Sequence, residues 1–237
     1  MDRVAEDVSD ERNGGPEAGA DMQTKTNLRI VDARREHAPF IAWVILTAFR
    51  SHLEKGFWDF MRPGTDGEIL RYLEALTTSK APHWAQLPLF VVAEVDGEPA
   101  AALSGYFGEE HGGTRLRDGM AEADAATGQV PDAEAIGRAL TILNVAPEHV
   151  PGAWIVEDVA TRPEFRRRGL VDALMQEIME RGRKRGATVS DIGVFIGNDS
   201  AQKAYEKAGY VVVEEKTHPA FEAVYETPGV RTLRRSL

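Results

Sequence analysis

FRRRGLVDAL (165–174) sets three consecutive arginines and a glycine in front of an apolar helical pattern, in a chain of 237 residues whose formal net charge is −10. Leu170, Leu174, Met175, Ile178 and Met179 recur at the spacing of one helix face, which predicts a helix over 170–183. The free N–H groups of its first turn and the positive end of its dipole make a seat for an anion. Gly169 lets backbone approach a phosphate with no side chain in the way, and Arg166, Arg167 and Arg168 add charge that survives any physiological pH. The ligand implied is polyphosphorylated. Neither GxxxxGK[ST] nor GxGxxG occurs, so the loop is neither a P-loop nor a Rossmann fingerprint. Taken alone, the arginines also read as a solvated basic run.

Around this loop the chain alternates strand (153–161), helix (170–183), strand (188–196), helix (199–208) and strand (210–215), which predicts a βαβ crossover and an at least partly parallel sheet. Upstream, LRIVDA (28–33) reads as a strand, 39–53 as a buried helix opening with proline, and 66–76 as an amphipathic helix. Segments 89–95 and 100–107, joined through Asp96-Gly97, read as a β-hairpin. Residues 108–150 are acidic and weakly helical around 132–143, and 107–152 is read as an insertion or lid, or as packing filler. The end of the chain, 229–237, is expected to add an edge strand. Residues 1–26 hold almost no large apolar side chains and read as an acidic tail, within which Met22 is an alternative start; 27–237 is taken as one domain.

Composition narrows the function. An acidic balance opposes a general nucleic-acid binder. With no cysteine, disulfide scaffolds, thiolate metal sites and acyl-cysteine routes drop out, and the six scattered histidines offer no i, i+4 metal pair, so no metal is expected. Residues 1–26 hold no apolar stretch of the kind a signal peptide has, and no run of 18 apolar residues occurs, which gives the expectation of a cytoplasmic protein that neither spans nor binds a membrane.

The run VATRPEFRRRGLV (159–171) resembles the acetyl-CoA-binding motif of the GNAT superfamily of N-acetyltransferases, (R/Q)-x-x-G-x-(G/A), with Arg166 in the first place, Gly169 as the glycine and Val171 where the motif has Gly or Ala. NDSAQKAYEKAGY (198–210) resembles the family's later motif, N-x-x-A-x-x-x-Y-x-x-x-G-(F/Y), without a gap. On its own terms this second segment has Asn198 or Ser200 to cap a helix and Gly209 to end it.

The resemblance implies a GNAT acyl-CoA N-acyltransferase fold of mixed α/β class, with flanking helices, a mixed central sheet and an insertion between its third and fourth strands. It implies acetyl-CoA as acyl donor, with the pantetheine arm along the backbone of Val159, Ala160 and Thr161 and the Val159 N–H as oxyanion donor. The pyrophosphate falls to Arg166, Arg167, Arg168, Gly169, Leu170 and Val171, with Asn198 and Ala201 also at the cofactor. Tyr205 matches the leaving-group acid, against the plainer reading of a buried tyrosine. Glu157 matches the base; two residues before Val159, it is expected on the same face by alternation, with Asp158 as competitor.

The expected reaction is direct attack by a primary amine, of a small molecule or peptide, in a ternary complex. The alternative is a non-catalytic acyl-CoA-binding or regulatory module, and a weaker one a nucleic-acid or membrane-surface binder using 166–168 and 181–185. Aromatic segments 55–61 and 82–84 are candidate walls of the acceptor pocket, or else core plugs or a dimer contact, and a homodimer is compatible with the sequence. The acidic insertion would favour a cationic acceptor.

Overall fold

The computed structural model describes residues 27–237, so the acidic tail and Met22 lie outside the described residues. Strands β1 (Leu28–Asp32), β2 (Phe90–Val95), β3 (Glu98–Phe107), β4 (Trp154–Thr161), β5 (Val189–Phe195), β6 (Val211–Thr217) and β7 (Gly229–Ser236) form one sheet in the order β1-β2-β3-β4-β5-β7-β6. Only β4 and β5 run parallel. Helices α1 (Ala38–Arg50), α2 (Phe57–Met61) and α3 (Asp66–Thr77) lie over one face of the sheet. Between β3 and β4 come α4 (Gly108–His111), α5 (Gly113–Thr127) and α6 (Ala133–Ala139). The opposite face carries α7 (Leu170–Lys184) and α8 (Asp199–Lys207), and α9 (Pro219–Tyr225) returns to the first.

Local sequence explains these elements. Apolar residues on most sides of α1 make it a largely embedded helix, with Ile41, Ala42, Val44 and Ile45 all out of contact with water. Thr65 caps α3 and Glu68 reaches back to the Thr65 N–H at 2.8 Å, a capping box. At the β2–β3 turn Asp96 and Gly97 both take positive φ, 53° and 89°, the geometry whose twist matches a two-residue hairpin. α7 presses its Leu174 and Ile178 onto the sheet at Gly105, where a Cβ would lie 2.6 Å from Ile178 Cγ1 and 2.7 Å from Trp154 Nε1.

Three expectations need correction. The terminal strand β7 is not an edge: it lies between β5 and β6, with Leu233 fully buried. Its arginines hid this, because two of the three find a carboxylate on a neighbouring strand, Arg231 on Glu215 at 2.8 Å and Arg234 on Asp191 at 2.6 Å, and Arg235 donates to the Ala208 carbonyl. The edge is β6, whose Val211, Val212 and Val213 remain exposed. α1 stops at Arg50, short of residue 53; Arg50 pairs with both Asp59 and Asp66 at 2.6 Å, and Ser51 turns the chain with φ of 58°. Finally, the insertion is more helical than its composition suggested. α5 buries only a thin stripe, Leu116 and Ala123 with Met120 beside them, against α3, and Arg62 ties the two through Tyr72 Oη at 2.8 Å and Asp124 at 2.9 Å. Among the described residues no helix is long and apolar enough to cross a membrane.

Gly105→Val should cost about 2–3 kcal/mol by overpacking, a fall of roughly 4–12 °C in Tm by calorimetry. An unchanged Tm would mean that α7 does not seat on β3 as described.

Candidate functional site

The one parallel pair among the described residues is also the least complete pairing in the sheet. β4 and β5 pair at Trp154↔Ser190, Ile155↔Asp191 and Val156↔Ile192 and no further, while β5 continues against β7 as far as Phe195. From Glu157 onward, β4 is therefore held by β3 alone, leaving a row of backbone groups open toward β5. The β3–β4 register also shifts here: Ser104 faces Glu157 and Ala102 faces Ala160, so Asp158 and Val159 both oppose Leu103. This is a β-bulge, and Asp158 occupies it with φ of 55°, a strained conformation for a residue with a side chain.

The bulge breaks the expected alternation. Glu157 stays on the α1 face, beside Tyr106, whereas Val159 packs into the core under α7 and α8. They lie on opposite faces of the sheet rather than on one. Ala160 returns to the first face, and the buried Thr161 hydroxyl has no partner among the described residues.

Glu157 is half-buried and accepts a 2.6 Å hydrogen bond from Tyr106 Oη, while Ser104 Oγ donates to its carbonyl at 3.3 Å. Burial pushes its carboxyl pKa up, against the Tyr106 hydrogen bond and the positive charge that His149 carries when its ring is protonated, both of which favour the ionised form. Next to it Asp158 is buried with neither carboxyl oxygen partnered among the described residues. Burial, then the Glu157 charge, holds Asp158 well above the ordinary carboxylate range, so it favours its neutral form. The phenol of Tyr106 is likewise raised by burial and by Glu157, and keeps its proton to donate.

At the far end of β4 the chain turns through the arginines into α7. Gly169 is the N-cap with φ of 75°, and no side chain caps the helix, so the first-turn amides of Leu170, Val171 and Asp172 are left without a side-chain acceptor. Nothing lies within 4 Å of where a Gly169 Cβ would be. Arg166, Arg167 and Arg168 are exposed around it; Arg166 Nε reaches Thr161 O at 3.4 Å and Arg168 donates to Glu164 O at 3.0 Å. Leu170 is buried and Val171 half-buried, both against the α7 core.

α8 closes the other side. Asn198 Oδ1 caps it by accepting from the Ala201 N–H at 3.1 Å, and Asn198 Nδ2 donates to Ser51 Oγ at 2.7 Å, tying this helix to the end of α1. The helix ends in a paired backbone motif, Gly209 N–H to Glu206 O at 2.9 Å and Tyr210 N–H to Tyr205 O at 3.1 Å. Tyr205 is buried in the α7 core, and its pKa is raised by burial and by the nearby Tyr210 and Asp158.

Glu157 and Tyr205 thus approach the β4–β5 gap from opposite faces. The aromatic segments 55–61 and 82–84 do not line it. Trp58 is wholly buried, with Phe57 and Trp84 packed around it at ring separations of 4.9 and 6.2 Å, and they build the core under the helices. Tyr106 and His149 carried no mark in the sequence: one is the ninth residue of a hairpin strand, the other a lone histidine in an acidic loop.

The sequence model of the Acetyltransferase (GNAT) family matches residues 56–210. No curated protein matches the chain. Among solved structures the chain is similar to an acetyltransferase crystal structure, with TM-score 0.65 and 18% identity over 88% of this chain and 98% of that one. It is also similar to the N-acetyltransferase from Staphylococcus aureus Mu50, with TM-score 0.59 and 20% identity over 87% of this chain and 100% of that one. At this identity the likeness is one of fold.

Tyr106→Phe removes a hydrogen bond that favours ionised Glu157, so the carboxyl should titrate at a pH higher by about 1 unit or more. A carbon-detected NMR titration reads it, and an unchanged or lower value would remove Tyr106 from any role in holding the carboxylate.

Proposed function

Since the chain belongs to the GNAT family of acetyltransferases, we propose that it transfers the acetyl group of acetyl-CoA to a primary amine by direct attack while both are bound. One observation carries this reading: the gap where β4 leaves β5 has a half-buried carboxyl, Glu157, on one face and a buried phenol, Tyr205, on the other.

The residues present fit the donor. The uncapped first turn of α7, the open space at Gly169 and the exposed Arg166, Arg167 and Arg168 suit a pyrophosphate. The edge of β4 left free by β5, from Glu157 through Val159 and Ala160 to Thr161, suits an extended amide-bearing arm that adds itself as a strand would. Asn198 spends its side chain on the α8 cap and on Ser51, so its part, with Ala201, is to shape the wall. Bound there, acetyl-CoA supplies an activated thioester carbonyl within reach of both faces of the sheet.

The chain's own groups then have separate tasks. An amine of ordinary basicity, pKa about 10.4 for a lysine-like amine, arrives protonated at neutral pH and has to lose a proton before it can attack. Glu157 takes it; the upward shift of its pKa makes it a stronger base than an exposed glutamate, and Tyr106 fixes which oxygen stays free. The Val159 N–H is the donor for the oxyanion that develops. Tyr205 keeps its proton on Oη at any pH the enzyme meets. With a pKa above that of an ordinary thiol, about 8.5, it serves the departing thiolate as a hydrogen-bond donor more readily than as a full proton donor. Neutral Asp158 keeps a second negative charge out of the gap, which would otherwise repel that thiolate.

The amine reaches Glu157 from the α1 face, and Glu109 and the acidic insertion on that side favour a cationic acceptor, either a small molecule or a peptide. A CoA-release screen over amino acids, polyamines, aminoglycosides and peptide N-termini tests the proposal, and release that no amine accelerates would overturn it.

In an active pairing, Tyr205→Phe should lower kcat about 10- to 100-fold and leave the KM for acetyl-CoA within about twofold. A collapse in cofactor affinity instead would make the tyrosine a packing residue. Gly169→Val, which forces a branched side chain into a left-handed backbone and into the open seat, should weaken acetyl-CoA binding by about tenfold or more in calorimetry. Wild-type affinity would contradict the phosphate seat.

A further inference from the structure

Each transfer from a protonated amine leaves one proton over. Of the two N–H protons that the nitrogen loses, one passes to the departing thiolate of CoA, which Tyr205 meanwhile holds by a hydrogen bond, and the other to Glu157, which has to discharge it before the next turnover. Glu157 is half-buried on the sheet face that α1 covers, and the bound amine occupies its open side, so the proton needs a way out.

The loop before β4 supplies a candidate. His149 Nδ1 lies 3.2 Å from Asp191 Oδ2, and Asp191, with a fully buried side chain, is clasped by Arg234 at 2.6 and 2.8 Å. The Arg234 and His149 contacts pull Asp191 down to about 2 against its burial, so it is a carboxylate and can only accept. Nδ1 of His149 must therefore carry the hydrogen, which leaves the lone pair on Nε2. An aspartate behind an imidazole in this way stabilises the imidazolium that forms when Nε2 takes a proton.

Register puts this pair beside Glu157. Asp191 pairs with Ile155 across the parallel ladder, and Glu157 follows two residues later on the same face as Ile155. The position level with Glu157 on β5 is Gly193, where a Cβ would lie 3.4 Å from Pro147 Cγ. That is ordinary contact distance, so the 147–149 segment crosses β5 close over this position. His149 then lines a cavity of about 280 Å³ together with Gly108, Glu109 and Ile155, and its side chain keeps 23% of its surface.

Resting on the acetyl-transfer reading above, we propose that His149 is the outlet for the proton that Glu157 takes from the amine. The two side chains are near enough for the His149 charge to act on Glu157 but share no hydrogen bond, so the carboxyl O–H of Glu157 breaks to a water between them, that water gives its proton to Nε2 of His149, and the imidazolium, held by Asp191, releases it to solvent through the cavity that His149 lines. Glu157 returns to carboxylate and His149 to neutral imidazole, so one proton leaves per acetyl group and nothing is oxidised or reduced. The charged groups around the imidazole are Asp191 of β5, Arg234 of β7, Glu157 of β4, Glu109 of α4 and, along its own loop, Glu148 with its partner Lys216 of β6.

The test uses the full chain with acetyl-CoA and whichever amine the CoA-release screen identifies. His149→Ala should lower kcat about tenfold or more with both KM values within about twofold, and added imidazole should restore a large part of the loss. Full kcat in the variant overturns the proposal, as does a loss that imidazole leaves untouched, since that marks a structural residue. A second measurement needs no acceptor: by NMR, His149→Ala should raise the pH at which the Glu157 carboxyl titrates, because it removes a neighbouring group whose positive charge favours the carboxylate. An unmoved Glu157 titration overturns the relay even in an enzyme that acetylates normally. Coupled titration in a protein whose CoA release no amine accelerates overturns the acetyl-transfer reading instead.

Discussion

Parallel strands exchange evenly spaced backbone hydrogen bonds only while they stay about 4.8 Å apart, and β4 and β5 abandon that spacing after three residue pairs. Much of the functional geometry follows. The open edge of β4, the turn through the arginines into α7 and the approach of α8 all concern the space these two strands leave between them. The bulge at Asp158 adds to the effect by inserting one extra residue just where pairing stops, which increases the local twist and sends Glu157 and Val159 to opposite faces. Donor and acceptor can thus come to one point from two sides of a sheet.

Electrostatics in that gap is arranged by unequal burial. Glu157 and Asp158 are sequence neighbours, yet one has a hydrogen bond from Tyr106 and a nearby imidazole to favour its charge, and the other has no partner among the described residues. Two adjacent carboxylates would repel in a low dielectric; giving the charge to one of them resolves the conflict. Further along the same face Asp191 shows the opposite solution: a fully buried carboxylate kept ionised by a two-pronged arginine from β7. That arginine comes from the terminal strand, so closing the sheet with β7 also sets the charge state behind His149.

Much of the chain could be read locally. Apolar residues at helical spacing gave α7 almost to its ends, Asp96-Gly97 gave the hairpin, and the arginine–glycine loop and the segment around Tyr205 carried the family resemblance that the match over residues 56–210 upholds. Less of the remainder was legible. α5 was missed because its buried stripe is thin and its capping residue is a glycine. α9 is a seven-residue helix that Tyr225 anchors by donating to Ala139 O at 2.8 Å, a contact between residues 86 apart. β7 looked like an edge because the partners of Arg231 and Arg234 stand on other strands.

The sequence by itself determined most of the helices and strands, the family and which chemistry-bearing residues are available, because periodicity, capping and turn chemistry act over a few residues. Only the tertiary structure decided that Glu157 and Val159 face opposite ways, that Tyr106 holds Glu157, and that His149 and Asp191 stand beside it. Those relations depend on where two strands stop pairing and on contacts between residues as many as 51 positions apart, Tyr106 and Glu157 among them. No local pattern encodes them, since burial and register are properties of the assembled sheet.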